Sequence, residues 1–191
     1  MAARRARSAR LGTLGSVPLY HFSEDPDITI FRPHVPEHRP DAEPLVYAID
    51  EWHAPMYCFP RQCPRACFWP GDRTTAADRE RWFAGIGAKM VIAIESAWLD
   101  RVRMTTLYRY VMPEATFTEH GDASGHWHSR ETVVPLAVEP VGDLLAALAA
   151  SNVELRITPR LYEIWTAVVA STLEFSGTRL RNAKGWIDAA G

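Results

Sequence analysis

The chain has 191 residues, the length of one domain. Hydrophobic residues make up 47% of it and charged residues 23%, which excludes a wholly disordered, collagen-like or coiled-coil protein. The formal net charge is −2, and several of the basic residues lie within the first ten positions, so the rest of the chain is more acidic. A broad basic face for the phosphate backbone of a nucleic acid is therefore not expected.

The N-terminal segment and the cysteines indicate the cellular location of the protein. Residues 1–16 are rich in Arg, Ala, Ser and Gly, and predict a disordered basic tail ahead of a single domain over residues 17–191. The segment lacks the apolar core of a signal peptide, and no long apolar run predicts a membrane span. Cys58, Cys63 and Cys67 match neither a disulfide framework nor a zinc or iron–sulfur spacing. We therefore expect a cytoplasmic protein with buried or loop thiols.

The first half of the chain predicts strands separated by prolines and short helices. Residues 17–22 predict the first strand, and four prolines between residues 32 and 44 predict a stiff extended loop. The elements predicted after this loop are a strand at 45–49, a short helix over 51–59 capped by Asp50, a strand at 66–69, a helix from Thr75 to about Phe83 and a strand at 90–95.

The second half predicts a similar mixture. The elements, in order, are a short helix after Ser96, a strand at 105–112, a polar loop over 113–129, a strand at 132–138, a helix over 141–150, a strand at 153–157, a helix from Pro159 through Val168 and a short strand or ordered loop over 175–186. About seven strands and four or five helices do not alternate strictly. The pattern favours an α+β domain with a mixed or largely antiparallel sheet and peripheral helices.

The usual catalytic fingerprints do not decide the function. Neither the G-x-G-x-x-G nor the Walker pattern occurs, and no G-x-S-x-G predicts a serine hydrolase. A cysteine nucleophile, Cys58 or Cys63 with His53, stays open as a weak alternative. His120, His126 and His128 form a cluster in which two rings could share a strand face and hold a metal, although an exposed polar loop explains them more simply.

Three further residues are distributed along the chain: His21 in the first strand, Tyr57 after the second, and Glu131 before a late strand. Each has an ordinary explanation, as a hydrogen-bonded strand histidine, a core aromatic residue and a solvated carboxylate. Their order is what favours a functional interpretation.

The sequences around these residues resemble the motifs of the ADP-ribosyltransferase-like families. The resemblance rests on Leu19-Tyr20-His21-Phe22-Ser23, on Val46-Tyr47-Ala48-Ile49-Asp50 followed by Tyr57, and on Ser129-Arg130-Glu131-Thr132-Val133-Val134-Pro135. Those families place a His on the first strand, an aromatic residue on a later strand or adjoining helix, and a Glu before a late strand. The resemblance implies a split sheet, NAD+ as substrate without a metal, and His21, Tyr57 and Glu131 as catalytic residues that converge on one cleft.

A second resemblance covers nearly the whole chain, from Val17 to about Trp186. The opening L-Y-H-F-S-E, the V-x-A-I-D and H-x-P-x-Y segments, and the closing S-T-L-E-F-S-G-x-R-L-R-N-A are similar to a bacterial family of unknown function. This resemblance implies no activity.

The chemistry of ADP-ribose transfer explains the expected roles. A carboxylate favours the positive charge that develops on the ribose, a strand histidine can hold a ribose hydroxyl, and a tyrosine face can stack on nicotinamide. The residues expected to bind the rest of the nucleotide are Tyr20, Ser23, Tyr47, Arg179 and Arg181. Tyr47 competes with Tyr57 for the aromatic role, and Glu174 competes with Glu131 for the acidic one.

Two other functions stay open. The same scaffold could be a non-catalytic module that binds a small anionic ligand or a protein, a hypothesis motivated by seven tryptophans and the proline-rich loop. A metal enzyme that uses His126 and His128 is the weaker hypothesis. The expected partner is a small-molecule nucleotide, with the acceptor left open and neither nucleic acid nor membrane expected.

Overall fold

Short apolar runs separated by proline, glycine and polar turns form most of the regular structure. The computed structural model describes residues 17–36, 40–121 and 124–186, and the predicted tail over residues 1–16 lies outside them. The strands found there are β1 (Leu19–Ser23), β2 (Val46–Asp50), β3 (Arg65–Trp69), β4 (Met90–Glu95), β5 (Tyr108–Met112), β6 (Thr118–Glu119), β7 (His126–Ser129), β8 (Ala137–Pro140), β9 (Val153–Thr158) and β10 (Glu174–Thr178).

The helices are short and are capped by polar side chains where their sequence provides one. They are α1 (Ala76–Phe83), α2 (Leu99–Met104), α3 (Leu144–Ala150) and α4 (Tyr162–Val169). Thr75 accepts a hydrogen bond from the backbone N–H of Asp78 at the start of α1, and Asp143 does the same for Ala146 in α3. No helix within the described residues has the length and apolar character needed to cross a bilayer.

The strands form two sheets. The larger has the order β6-β7-β2-β1-β5-β8, with every pair antiparallel, and the smaller has the order β10-β3-β4-β9, with only β4 and β9 parallel. The predicted class, a single α+β domain with a largely antiparallel sheet, is confirmed. It divides its strands between two sheets.

One core lies between the sheets. It includes Ile49 of the larger sheet and Ile92 and Ile94 of the smaller one, and α3 closes it with Leu144 and Leu148. The outer face of the smaller sheet is covered by α1 and α4. The outer face of the larger sheet is covered by loop residues, which include Phe31, Phe117 and Val133.

Several predicted elements were wrong in extent. The helix predicted over residues 51–59 is only a 3-10 turn, Ala54–Tyr57, because Pro55 lacks the N–H that would continue a helix. The predicted strand at 132–138 forms a ladder only from Ala137, since Pro135 interrupts it. Only Val133, paired with Phe31, bridges earlier. The helix predicted from Val141 starts at Leu144, after Gly142 with a φ of 77°.

Two other predictions need correction. Residues 113–129 were predicted as a polar loop, yet they contain β6 and β7. β7 is part of the larger sheet because its backbone pairs with the buried β2, although its own side chains give little indication of a strand. The last predicted segment, residues 175–186, divides into β10 and a 3-10 turn at Leu180–Asn182.

Candidate functional site

The larger sheet opens between its two central strands. β1 is paired with β5 along its whole length, but with β2 only at Leu19 and Tyr20. β2 stays paired with β7 from Val46 to Ile49. The strands therefore diverge beyond Tyr20, and we call the V-shaped opening between residues 21–23 and 46–48 the fork.

His21 bridges the fork. Its Nδ1 lies 2.9 Å from the carbonyl oxygen of Tyr47, and because a carbonyl only accepts, the ring must donate from a protonated Nδ1. Its ring packs against Phe31 with a centroid distance of 4.8 Å. Burial lowers the pKa of His21, and the charges of Arg61 and His34 lower it further. The imidazole is therefore neutral at neutral pH. Its hydrogen bond to Tyr47 replaces the main-chain hydrogen bonds between β1 and β2 where these strands diverge.

Alternation along the strands assigns the predicted residues to faces. Tyr20 and Phe22 point towards the core between the sheets, against which Tyr57 also packs. His21 is paired with Tyr110, whose ring belongs to the core on the outer face of the larger sheet. His21 and Tyr57 thus approach the fork region from opposite faces of the sheet, whereas we expected them on one wall of a cleft.

Tyr57 lies in an aromatic and cationic environment. Its hydroxyl is hydrogen-bonded to His126 Nε2 of β7 at 2.9 Å. Its ring stacks with Phe22 at a centroid distance of 6.4 Å, and the Arg65 guanidinium lies 5.4 Å from its centroid. The Tyr57 ring therefore packs against the Arg65 guanidinium, and its hydroxyl group is held by His126.

Four arginines gather beside Tyr57. Thr178 of β10 is paired with Arg65 of β3, which brings the following Arg179 to the same end of the smaller sheet. Asn182 Nδ2 donates to the Gln62 carbonyl at 2.8 Å, so the turn with Arg179 and Arg181 lies against the turn with Arg61. The arginine cluster consists of Arg61, Arg65, Arg179 and Arg181.

The charges of the cluster are not neutralised by nearby acids. Within residues 17–36, 40–121 and 124–186, none of its four side chains forms an ion pair. Burial lowers the pKa of Arg179, and the charges of Arg181, Arg61 and Arg65 lower it further. Glu24 is close, but its carboxylate accepts from the backbone N–H of Arg61 at 2.8 Å. A group of adjacent guanidinium groups that form no ion pair with the described acids is typical of an anion-binding site.

Glu131 makes no hydrogen bond or ion pair with His21 or Tyr57. It is exposed, two positions beyond the end of β7, and its backbone N–H donates to Ser129 Oγ at 3.1 Å. Among the described residues its carboxylate has no hydrogen bond or ion pair. The competing Glu174 pairs with Arg73 at 3.7 Å and lies on β10. The roles assigned to His21, Tyr57 and Glu131 remain predictions.

The other predicted binding residues are divided between the fork and a neighbouring cleft. Tyr47 lies on β2 with its carbonyl bound to His21, and Ser23 ends β1, where its Oγ accepts from the Asp25 N–H at 3.1 Å. Tyr20 lines a cleft of about 240 Å³ between β1, β5 and α3. In this cleft the Arg109 guanidinium lies 4.7 Å from the Tyr20 ring and pairs with Glu139 at 2.6 Å.

The cysteines do not provide a nucleophile. Burial raises the pKa of Cys58 to about 11, and that of both Cys63 and Cys67 to about 12. All three are free and buried thiols, and each is therefore protonated at neutral pH. His53, the predicted partner of a reactive cysteine, instead hydrogen-bonds to Asp50 at 2.9 Å through Nδ1.

The histidine cluster is likewise engaged within the fold. His126 is bound to Tyr57, and the ring of His128 contacts that of His120 at a centroid distance of 5.4 Å. No three His, Cys, Asp or Glu side chains are arranged to hold a metal ion in the part of the chain that the structure describes.

Sequence reasoning missed two contributors to this region. Arg65 was not singled out, although a charged residue that opens the otherwise apolar run R-A-C-F-W indicates a special environment. His126 was considered only as a metal ligand. Its pairing opposite Ile49 places it on the face that Tyr57 contacts, and this depends on β7 being a strand.

Comparison with known proteins adds a family. The model of DUF6886, a family of unknown function, matches residues 20–183, a range that contains both the fork and the arginine cluster. The chain belongs to the DUF6886 family. The expected membership of a family of unknown function is thereby confirmed. No curated protein and no solved structure matches this DUF6886 chain.

Proposed function

We propose that this DUF6886 protein binds NAD+ at the fork and transfers its ADP-ribose to water or another acceptor. The observation on which the proposal rests is that the Tyr57 ring lies beside a cluster of arginines for which the described residues supply no ion-paired acid. A dinucleotide offers aromatic rings for stacking and a pyrophosphate for guanidinium groups. The ADP-ribosyltransferase-like motifs around His21, Tyr57 and Glu131 supply the chemistry.

The proposed reaction breaks the bond between the ribose C1′ and the nicotinamide nitrogen. The bonding electron pair leaves with nicotinamide, and a lone pair of water or another nucleophile forms the new bond to C1′, releasing its proton to solvent. Glu131 would stabilise the oxocarbenium character of the ribose. A neutral His21 would hold a ribose hydroxyl from one face of the sheet while Tyr57 stacks on the nicotinamide from the other.

The remaining nucleotide would be held by the other predicted binding residues. Arg179 and Arg181 suit the pyrophosphate, because guanidinium groups bind phosphate oxygens in pairs. Three further residues on β1 and β2 would contact the sugars and bases: Tyr20, Ser23 and Tyr47.

The test measures nicotinamide release and the NAD+-dependent rise in melting temperature. We expect Glu131→Gln to lower nicotinamide release by about 100-fold or more while NAD+ still raises the melting temperature, because the carboxylate acts mainly on the transition state. Tyr57→Ala should weaken NAD+ binding by about tenfold or more through lost stacking.

Matched controls lie on exposed helices away from the fork. Glu80→Gln on α1 and Tyr162→Ala on α4 should leave both measurements unchanged. If wild-type protein neither releases nicotinamide nor is stabilised by NAD+, the proposal is wrong.

A specific observation favours a second candidate, a non-catalytic nucleotide-binding module. Glu131 is exposed and has no hydrogen bond or ion pair with the described residues, so the acid of the trio is not preorganised. In that case NAD+ or ADP-ribose would bind with equal affinity to the wild type and to Glu131→Ala, and no nicotinamide would be released.

The proposed location is cytoplasmic. Three free, buried cysteines with no disulfide are typical of proteins that fold under reducing conditions.

A further inference from the structure

The arginine cluster has more positive charge than NAD+ would neutralise. Each phosphate of the pyrophosphate bears one negative charge, and the nicotinamide ring offsets part of the sum. The cluster joins four guanidiniums from two turns, and no acid forms an ion pair with any of them among the described residues. A phosphomonoester brings nearly two negative charges on a single group, about −1.5 to −2 at neutral pH.

Arg65 is the most informative member, because the residue is only 3% exposed. Its Nε donates to the Met56 carbonyl and one terminal nitrogen donates to the Cys63 carbonyl at 2.9 Å. Its second terminal nitrogen has no hydrogen bond to the described residues and remains in contact with solvent. Burying most of a cation without an ion-paired acid is costly, and an anion bound at this open donor would reduce that cost.

The other three members of the cluster differ in exposure. Arg179 is half-buried and follows the end of β10, and its backbone adopts the left-handed conformation with a φ of 54°. Arg61 and Arg181 are exposed. An anion could therefore reach the cluster from solvent, meet Arg61 and Arg181 first, and be bound by Arg179 and Arg65.

We propose that the arginine cluster binds a phosphomonoester group, so that the preferred ligand of this protein contains a free terminal phosphate. The inference builds on the proposed nucleotide site, but it requires no reaction there. The phosphate belongs either to the nucleotide itself or to a second molecule that binds beside it, such as a phosphorylated acceptor.

The test follows the melting temperature and binding enthalpy of the full chain with pyrophosphate, inorganic phosphate, AMP and adenosine, at one ionic strength set by sodium chloride. We expect pyrophosphate and phosphate to stabilise the protein, and AMP to bind at least tenfold more tightly than adenosine. Arg61→Ala and Arg179→Asn should each weaken phosphate binding by about tenfold. Asparagine tolerates the left-handed backbone at position 179.

Arg79→Ala, an exposed arginine of α1, is the matched control and should bind phosphate as the wild type does. Arg65 is left unchanged because its carbonyl bonds also hold the turn before β3. If phosphate has no more effect than chloride, or if the Arg61 and Arg179 variants bind it normally, the inference is overturned.

A competition experiment assigns the source of the phosphate. If phosphate displaces NAD+, the cluster binds a phosphate of the nucleotide; if both bind together, the cluster binds the phosphate of a second molecule. Phosphate binding without any nicotinamide release would leave this inference standing while the proposed reaction fails. Nicotinamide release that is insensitive to the arginine variants, with no phosphate binding, would do the reverse.

Discussion

A single imidazole replaces a main-chain hydrogen bond at the centre of the larger sheet. The Nδ1–H of His21 donates to the Tyr47 carbonyl at the point where β1 leaves β2. Burial lowers the pKa of this ring by more than the hydrogen bond to Tyr47 raises it, so the fold favours the neutral imidazole. The stability of the folded state therefore depends on the protonation state of His21.

This coupling predicts a loss of stability on acidification. The folded pKa of His21 lies below its ordinary value of 6.5, so the unfolded chain takes up the proton first as the pH falls. The contribution of His21 is present above that value and is lost towards the lower folded pKa. His21→Asn, whose amide can still donate, should lose less free energy of unfolding than the wild type between about pH 7.5 and pH 5.

Chemical denaturation at several pH values measures this difference. Thr106→Asn, at an exposed position without a titratable group, is the control and should keep the pH dependence of the wild type. An identical pH dependence for His21→Asn and the wild type would contradict the prediction.

Some single residues were identifiable from the sequence and others were not. Tyr57 is predicted from a motif, and Arg179 and Arg181 are predicted as nucleotide-binding residues; they lie together because the pairing of β3 with β10 joins distant parts of the chain. Arg65 belongs to the same cluster, but only the pairing of β3 with β10 and the contact between two turns reveal this. His21 and Tyr57 lie on opposite faces of the larger sheet because of where the 3-10 turn Ala54–Tyr57 packs. No local sequence pattern specifies that packing.

At the scale of elements, β8 is an exposed edge of the larger sheet. Val134, Leu136 and Val138 alternate along the segment at this edge and are all exposed, Leu136 by 69%. Edge strands with apolar side chains offer both unpaired backbone groups and a hydrophobic surface to other chains.

Leu136→Lys should therefore reduce self-association without affecting folding. The side chain is exposed, so the free energy of unfolding should change by no more than about 0.5 kcal/mol, while a charge at the edge opposes strand pairing. Light scattering at high protein concentration measures association, and denaturation measures stability. Leu136→Thr, which adds no charge, is the control; equal association of both variants would contradict the role of charge.

Elements with strong local signals were predicted, and those defined by their partners were not. β4 was predicted because a run of apolar and β-branched residues is fully buried in the smaller sheet. The H-W-H-S sequence of β7 predicts a loop, because its strand conformation comes from pairing with β2. The division into two sheets likewise depends on long-range pairing.

For the whole molecule, the core between the sheets ties both sheets into one folding unit. Ile92 of β4 is completely buried there, beside side chains from the larger sheet and from α3. Ile92→Ala should lower the free energy of unfolding by about 2–5 kcal/mol, because removing buried methyl groups leaves a cavity.

Ile157→Ala on β9 is the matched control. Ile157 is 48% exposed, so its loss should cost about 1 kcal/mol or less. Circular dichroism and tryptophan fluorescence should report one coincident transition for each variant. Two separate transitions would show that the sheets unfold independently, contrary to the shared core.

The burial of every native thiol has a practical consequence for studying the fork. Cys58, Cys63 and Cys67 remain protonated and inaccessible in the folded state. A cysteine introduced at an exposed loop position such as Gln62 would therefore be the fast-reacting partner for a maleimide dye. A fluorophore at that position would report ligand binding at the neighbouring turn directly, without first removing any cysteine from the hydrophobic interior.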